Sequence, residues 1–163
     1  MPQVVLYQPQ IPPNTGNVAR TCAATGTGLH LVEPLGFEIS DRTLKRAGLD
    51  YWPWVSLQRH RDWTTFLERQ QRDGGRLLAL SRHARDSYLD WAYREDDWLV
   101  FGRETDGLPA DVLARCEQRL TIPMRCSSER PEGGVRSLNL SVSVGIVLFE
   151  ALRQLGHQSR EFQ

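Results

Sequence analysis

The stretch LVFGRETDGLP, Leu99–Pro109, begins as a buried strand and changes character within one residue. Trp98–Phe101 is a continuous apolar run without polar alternation, which is typical of a strand covered on both faces of a parallel sheet. Gly102 follows at once, and four polar or charged residues separate it from Gly107. A simple turn needs only two or three residues, so the extra length predicts a loop that meets a ligand at the end of the strand.

Similar runs recur along the chain and define the fold class. Four more strands are predicted, at Val4–Tyr7, Leu29–Glu33, Arg76–Ser81 and Leu120–Pro123. Helical segments are predicted between them: Asn17–Thr25 ending at Gly26, a basic turn from Asp41 to Gly48, a segment from Asp62 to Gly74, and Pro109 to about Cys116. This alternation predicts an α/β fold with a mostly parallel sheet and helices on both faces.

The last helix is predicted from about Leu138 to Leu155, with Gly156 as its stop, and it has two apolar stripes. One consists of Leu138, Val142, Gly145, Phe149 and Leu152, and the other of Leu140, Val144, Val147, Leu148, Ala151 and Leu155. A helix that is apolar on two sides is buried on two sides. We expect the sheet to cover one stripe and a second subunit the other, the alternative being a helix wrapped by its own chain.

Length and composition limit the partners that this protein can have. A chain of 163 residues fits a single domain, 1–163, with a core from about residue 4 to 156. Twenty basic and 20 acidic residues give no net charge, so an anionic partner must be contacted by local groups. Lys45 is the only lysine, and arginine pairs with phosphate and stacks on bases better than lysine does.

Cysteine and histidine usage favours neither a disulfide framework nor a metal. The three cysteines, Cys22, Cys116 and Cys126, show no CxxC spacing, and the four histidines are scattered. The N-terminus lacks the basic start and apolar run of a secretion signal, and the most apolar stretch, Leu138–Phe149, is too short to span a bilayer. We therefore expect a soluble cytoplasmic protein with no membrane or metal partner.

Three strand ends carry the candidate site. In a parallel sheet, ligands bind beyond the carboxyl ends of the strands, and these ends fall at Leu80–Arg82, Gly102–Gly107 and Ile122–Met124. Glu104 and Asp106 offer carboxylates to a hydroxylated or cationic group there. As a pattern, GxxxxG is weak, because it matches neither the dinucleotide fingerprint nor the phosphate loop. A tight surface turn explains it equally well.

Polar residues near two helix starts complete the candidate set. PPNTGNVAR places Asn14 at the head of a helix, where we expect it to be the N-cap, and places Arg20 near the second turn. In VRSLNLSVSVG, Val135–Gly145, Ser137 is a second candidate cap. Asn139, inside an apolar helix, needs a hydrogen-bonding partner if it is buried.

A family resemblance is carried by three segments in order, NTGNVAR, LVFGRETDGLP, and IPM followed by RSLNLSVSVG. They resemble the three motifs of the SPOUT superfamily of RNA methyltransferases. VVLYQPQIPPNTGNVART, HLVEPLGF, RAGLDYW and EALRQLG resemble its small YibK/TrmL branch, whose members 2′-O-methylate the wobble cytidine or uridine of certain leucine tRNAs. The match runs from about Val4 to Gly156.

The resemblance implies S-adenosylmethionine as cofactor, tRNA as substrate, a C-terminal trefoil knot, and a homodimer across which the site is completed. The implied cofactor-binding residues are Leu80, Gly102, Glu104, Gly107, Ile122, Met124, Ser137 and Leu138. Those implied around the reacting hydroxyl, as the catalytic set, are Asn14, Arg20, Glu104, Ser137 and Asn139. RNA is expected to meet local arginines: Arg42, Arg46, Arg59, Arg61 and Arg136, with Arg46 and Arg136 as substrate-binding residues.

Some positions depart from the branch. Arg103 and Asp106 replace the Pro and Arg of FGPETRG, Phe149 replaces a tyrosine, and NLSV replaces NLSN, which leans toward relatives that methylate a D-loop guanosine. An insertion lies around Arg130–Gly134. Three alternatives therefore stay open: 2′-O-methylation of another tRNA or rRNA site, a non-catalytic RNA-binding or assembly protein, and a generic nucleotide-binding α/β module.

Overall fold

The computed structural model describes residues 1–38, 52–124, 135 and 137–157. Its elements are β1 (Gln3–Tyr7), α1 (Pro12–Thr25), β2 (Gly28–Val32), a 3-10 turn (Trp52–Trp54), β3 (Leu57–His60), α2 (Trp63–Asp73), β4 (Leu77–Leu80), β5 (Asp86–Ser87), β6 (Trp98–Phe101), α3 (Ala110–Leu113), β7 (Gln118–Thr121) and α4 (Leu140–Gln154). The basic turn predicted at Asp41–Gly48 and the insertion at Arg130–Gly134 lie outside the described residues.

The strands form one seven-stranded sheet in the order β3-β2-β1-β6-β4-β7-β5. Every strand pairing in it is parallel. The five predicted strands are confirmed, with shifts of one or two residues at their ends. Sequence reasoning missed β3 and β5, because these strands lie at the two sheet edges and lack the continuous apolar run of a strand that is covered on both faces.

Helices cover both faces of this sheet, so the predicted α/β class is confirmed. On one face α1 and α4 pack against side chains such as Val4, Leu29 and Leu99, all fully buried. On the other face α2 contributes Phe66 and α3 contributes Val112 to a second buried cluster. The period-2 geometry of a strand assigns Val4 and Val5 of β1 to opposite clusters.

The N-cap expected at Asn14 is wrong. α1 begins five residues earlier than predicted, with Ile11 at the N-cap and Pro12 and Pro13 in the first turn. Proline fits there because the first amide groups of a helix have no intrahelical acceptor to lose. Asn14 is therefore inside the helix, and Arg20 falls in the third turn rather than the second.

Two further helix boundaries differ from expectation. α3 has four residues, Ala110–Leu113, and ends before the predicted Cys116. α4 begins at Leu140, and its N-cap is Asn139, whose side chain accepts a hydrogen bond from the Ser141 amide. Ser137 is therefore not the cap. By contrast, α2 begins at its predicted cap, since Asp62 accepts from the backbone and the hydroxyl of Thr65, each at 2.8 Å.

The two apolar stripes of α4 differ in burial, as predicted, although each has an exception. In the inner stripe Val144, Val147 and Leu148 are fully buried, whereas Leu155 at the end of the helix is half-buried. On the other stripe Val142 and Phe149 are 49% and 47% exposed, whereas Leu152 is only 3% exposed and belongs to the core. In the parts of the chain that the structure describes, no helix has the length and apolarity needed to cross a membrane.

Candidate active site

A cavity of about 460 Å³ lies at the carboxyl ends of β4, β6 and β7. It is closed on one side by the segment that leads into α4. Among its lining residues are ten that the sequence singled out: Asn14, Leu80, Gly102, Glu104, Gly107, Ile122, Met124, Ser137, Leu138 and Asn139. Residues that are 125 positions apart in the chain thus meet in one cavity.

The loop after β6 forms one wall of the cavity and is folded back on itself. The Arg103 amide donates to the Gly107 carbonyl at 3.1 Å, and the Gly107 amide donates to the Arg103 carbonyl at 3.0 Å. Gly107 has φ +75°, a left-handed conformation that favours glycine, and a Cβ there would meet open space. At Gly102 a Cβ would lie 2.2 Å from the Gly107 carbonyl carbon. Both glycines are needed for this compact loop.

The carboxylate of Glu104 is occupied by groups of its own chain. One oxygen accepts from the Gln10 amide at 2.9 Å, and the other accepts from the Ile11 amide and from Asn14 Nδ2, each at 3.2 Å. These two amides lie where the chain enters α1 and have no helical acceptor. We had expected Glu104 to offer its charge to a ligand; its contacts show that it anchors the start of α1 to the loop.

Asn14 continues this chain of hydrogen bonds to α4. Its Oδ1 accepts from Asn139 Nδ2 at 2.8 Å, while Asn139 Oδ1 accepts from the Ser141 amide and hydroxyl at 2.9 and 2.7 Å. The donor-acceptor order from Glu104 through Asn14 to Asn139 fixes both amide orientations. Asn139 is exposed, so burial does not oblige it to have a partner, but it hydrogen-bonds to Asn14 and to Ser141 all the same.

Arg103 and Asp106 form an ion pair at the cavity rim. Arg103 Nε and Nη2 donate to the two carboxylate oxygens of Asp106, each at 2.6 Å. The Arg103 guanidinium lowers the pKa of Asp106 below its ordinary value, mainly through these hydrogen bonds. Its Nη1 donates to Gln8 Oε1 at 2.9 Å. The sequence predicts that the carboxylate of Asp106 faces a ligand. In the structure this carboxylate is held by Arg103 of its own chain.

Three of the arginines expected at the site, Arg20, Arg59 and Arg61, belong to the described residues, and none of the three lines the cavity. Arg20 is an exposed residue of α1 and does not line the cavity. Arg59 pairs with Glu33, and Arg61 pairs with Asp62 at 3.2 Å. The remaining expected RNA contacts lie outside the described residues: Arg42, Arg46 and Arg136.

Sequence reasoning missed several residues of the lining. Arg82 and His83 lie at the end of β4, where Arg82 Nε donates to His83 Nε2 at 3.0 Å. Ile11 and Ser143 also line the cavity. Arg82 belongs to the predicted strand end Leu80–Arg82, although it was not assigned a role, and His83 lies one residue beyond that range. Nothing in the local pattern marks Ile11.

The chain belongs to the SpoU rRNA Methylase family, which it matches over residues 1–149. Among curated relatives, it is 49% identical over 157 residues to a tRNA (cytidine(34)-2′-O)-methyltransferase of Burkholderia ambifaria, covering 95% of this chain and 96% of that protein. The predicted family resemblance is confirmed by this match.

Solved structures share the fold. One, described as giving structural insights into the 2-OH methylation of C/U34 on tRNA, superposes with a TM-score of 0.86 at 51% identity, covering 97% of this chain and 98% of that one. An AdoMet-bound rRNA methyltransferase from Sinorhizobium meliloti superposes with a TM-score of 0.80 at 28% identity, covering 94% of this chain and 56% of that one. This chain is similar to both.

Proposed function

We propose that this protein is an S-adenosylmethionine-dependent tRNA 2′-O-methyltransferase that acts on the wobble nucleotide, cytidine or uridine, of leucine tRNAs. The observation that carries the proposal is the single cavity that joins the three motif segments at the carboxyl edge of the sheet. The similarity to the tRNA (cytidine(34)-2′-O)-methyltransferase of Burkholderia ambifaria, over almost the whole of both chains, supports cytidine 34 of tRNA as the target, and the family resemblance implies the leucine tRNAs.

The cavity fits the proposed cofactor. Its volume of about 460 Å³ lies within the range of about 300–1,000 Å³ that small-molecule sites occupy. Leu80, Ile122, Met124 and Leu138 provide apolar walls for an adenine ring, and the open space beside Gly107 lets a ligand approach the backbone. We assign cofactor binding to these residues together with Gly102, Ser137 and the loop that Glu104 anchors.

S-adenosylmethionine supplies, when bound, an electrophilic methyl group on its sulfonium. The protein must then place a ribose 2′-hydroxyl in line with this methyl group and stabilise the charge that develops as the hydroxyl loses its proton. Deprotonation is concerted with the transfer or assisted by water, which takes up the proton. A guanidinium stays protonated, so Arg20 acts by stabilising the developing alkoxide or a neighbouring phosphate and not as the base. Asn14 and Asn139 orient the groups around the reacting oxygen.

A homodimer completes this site. Arg20 lies outside the cavity of its own chain, so a second copy is the natural source of the arginine. The exposed stripe of α4, at Val142 and Phe149, is the surface on which the copies meet. Such a stripe is costly in water, and burying it contributes about 25 cal/mol per Å² of apolar area.

We also propose that residues 1–163 fold as one domain in the cytoplasm and that the segment between β7 and α4 passes through a loop of the chain as a trefoil knot. The family resemblance supports the knot. Knots are rare in proteins. A crystal structure that traces residues 125–134 decides whether the path is threaded.

The function is tested by methyl transfer from radiolabelled S-adenosylmethionine to tRNA from cells that lack the modification. Nuclease digestion then maps the labelled nucleotide, which we expect to be position 34 of leucine tRNAs. Label at a D-loop guanosine or in rRNA would contradict the substrate assignment. Binding of cofactor and tRNA without transfer to any tRNA would support a non-catalytic RNA-binding protein, and equal affinity for ATP would support a generic nucleotide module.

A further inference from the structure

Two walls of the cavity are joined by an unusually dense set of contacts. The loop after β6, residues 102–107, supplies one wall, and the segment from β1 into α1, residues 8–14, contributes Ile11 and Asn14 to another. Arg103 donates to Gln8 Oε1, the Thr105 hydroxyl donates to Gln10 Oε1 at 2.9 Å, and Glu104 accepts from both amides described above. The relative position of the two walls is thus set by this loop.

Within the loop, the Arg103–Asp106 pair stabilises the bend. The two side chains are three residues apart, and both guanidinium-carboxylate hydrogen bonds are 2.6 Å long. Thr105 Oγ1 also lies 3.0 Å from Asp106 Oδ1. The guanidinium lies over the ring of Tyr7, 5.7 Å from its centroid. Arg103 therefore links the loop to the end of β1 through a ring contact with Tyr7 and a hydrogen bond to Gln8, while its ion pair with Asp106 stays within the loop.

The same contacts argue against a direct role for Arg103 toward RNA. Three of its nitrogens already donate to Asp106 and Gln8, and the side chain is 25% exposed. A phosphate would have to displace a carboxylate held by two charge-assisted hydrogen bonds. The negative charge of Asp106 beside it would repel that phosphate.

We infer that Arg103 and Asp106 are a positioning pair that sets the affinity for S-adenosylmethionine by holding the 102–107 loop against residues 8–14. This inference rests on the proposed function, because it takes the cavity to be the cofactor site. The pair itself does not contact the reacting groups. A pair this exposed adds little to global stability, so its effect is expected in the shape of the cavity.

The test measures the dissociation constant of S-adenosylmethionine by calorimetry for Arg103→Gln, Asp106→Asn and the exchanged double variant Arg103→Asp with Asp106→Arg. We expect each single variant to weaken binding about three- to tenfold. The exchanged pair should recover most of the loss, because the two charges can meet again and the Gln8 amide can turn to donate. Thermal midpoints are measured in parallel and should move little.

Asp73→Asn is the matched control. It breaks the Arg69–Asp73 ion pair on α2, which is also partly exposed and lies outside the cavity, and it should leave cofactor affinity unchanged. Wild-type affinity for S-adenosylmethionine in both single variants would overturn the inference. So would an exchanged double variant that binds S-adenosylmethionine no more tightly than either single variant. Loss of tRNA affinity in Arg103→Gln at constant cofactor affinity would identify an RNA contact instead. A wild-type protein that does not bind S-adenosylmethionine contradicts the proposed function itself.

The kinetic constants separate positioning from chemistry. In methyl transfer assays, the single variants should raise KM for S-adenosylmethionine and leave kcat at saturating cofactor within about twofold. The reason is that they weaken cofactor binding equally in the ground state and the transition state, while contacts made only in the transition state are kept. A fall in kcat with an unchanged KM would overturn the positioning role.

Discussion

Asn139 donates a hydrogen bond of 2.8 Å to Asn14, and this contact joins the first and last helices of the protein at the cavity. Asn139 has two roles, because its Oδ1 also caps α4 through the Ser141 amide. Asn14 likewise bonds to Glu104 at its other end. The side-chain amide of Asn139 thus caps the start of α4 and also fixes the orientation of the Asn14 amide in the cavity.

Substitutions at Asn139 separate these two roles. Asn139→Ala should lower the free energy of unfolding by about 1 kcal/mol, because the cap is lost. Asn139→Ser keeps a cap oxygen and should restore most of this stability, but it cannot reach Asn14. We expect kcat to fall about ten- to a hundredfold in both variants, measured by methyl transfer alongside urea unfolding. Full activity in the serine variant would show that only the cap matters.

Substitutions at Arg20 test the role of its charge. Arg20→Lys should keep part of the methyl transfer rate, because a positive charge remains near the developing alkoxide, and Arg20→Ala should lose nearly all of it. Cofactor affinity should change little in both, because Arg20 is proposed to act on the reacting hydroxyl or on a phosphate of the RNA and is not one of the residues assigned to the cofactor. Arg72→Ala, at an exposed arginine of α2, is the control. Equal and total loss in both Arg20 variants, at constant tRNA affinity, would favour a proton-accepting role.

A buried histidine pair predicts acid sensitivity. His30 Nδ1 lies 2.9 Å from His60 Nε2, and burial, followed by His60 and Arg69, lowers the pKa of His30 to about 4. Burial also lowers the pKa of His60. Because the unfolded chain takes up these protons first, stability is complete above about pH 6.5 and falls as the pH drops toward 4.

The loss from His30 alone should reach about 2 kcal/mol between about pH 8 and pH 5. Urea unfolding at a series of pH values measures it. His30→Gln leaves an uncharged hydrogen-bonding group, so we expect a shallower dependence on pH even if its absolute stability is lower. If the free energy of unfolding depends on pH equally steeply in the wild type and in His30→Gln, groups other than His30 cause the acid sensitivity.

The exposed stripe of α4 predicts the oligomeric state. Val142→Glu places a charge in the proposed subunit interface and should convert a dimer into a monomer in light scattering coupled to gel filtration, with loss of methyl transfer. Leu89→Glu is the matched control, because Leu89 is also a large apolar residue, 54% exposed, and lies outside α4. A wild-type monomer would contradict the proposed dimer directly.

The central part of the fold could be predicted because its signals are local. Trp98–Phe101 is buried on both faces of the sheet, so its side chains form a continuous apolar run. Asp62 and Gly74 cap the two ends of α2, and each bonds to a residue only three or four positions away in the chain. The edge strand Leu57–His60 carries no such signal, because three of its four residues are polar: Gln58 is half-buried, Arg59 is exposed and His60 is buried.

Roles that depend on distant partners could not be read from the chain. Glu104 has the pattern of a ligand-binding carboxylate, yet its acceptors are used by amides more than 90 residues away. The register that pairs Val32 with His60 brings two histidines together, although the sequence shows no paired spacing. The sequence shows that Arg103 and Asp106 replace the Pro and Arg of the branch, but it does not show that they pair. Their side chains form an ion pair because the loop bends between them.

The strand order has a consequence for the protein as it is synthesised. β1 leaves the ribosome well before β6 and lies inside the sheet, where one of its edges pairs with β6. At about 5–20 residues per second, the buried segment Val4–Tyr7 waits for seconds with that edge open until Trp98 emerges. An uncovered apolar edge invites pairing with another chain, so nascent copies on one messenger are expected to rely on holding chaperones during this interval.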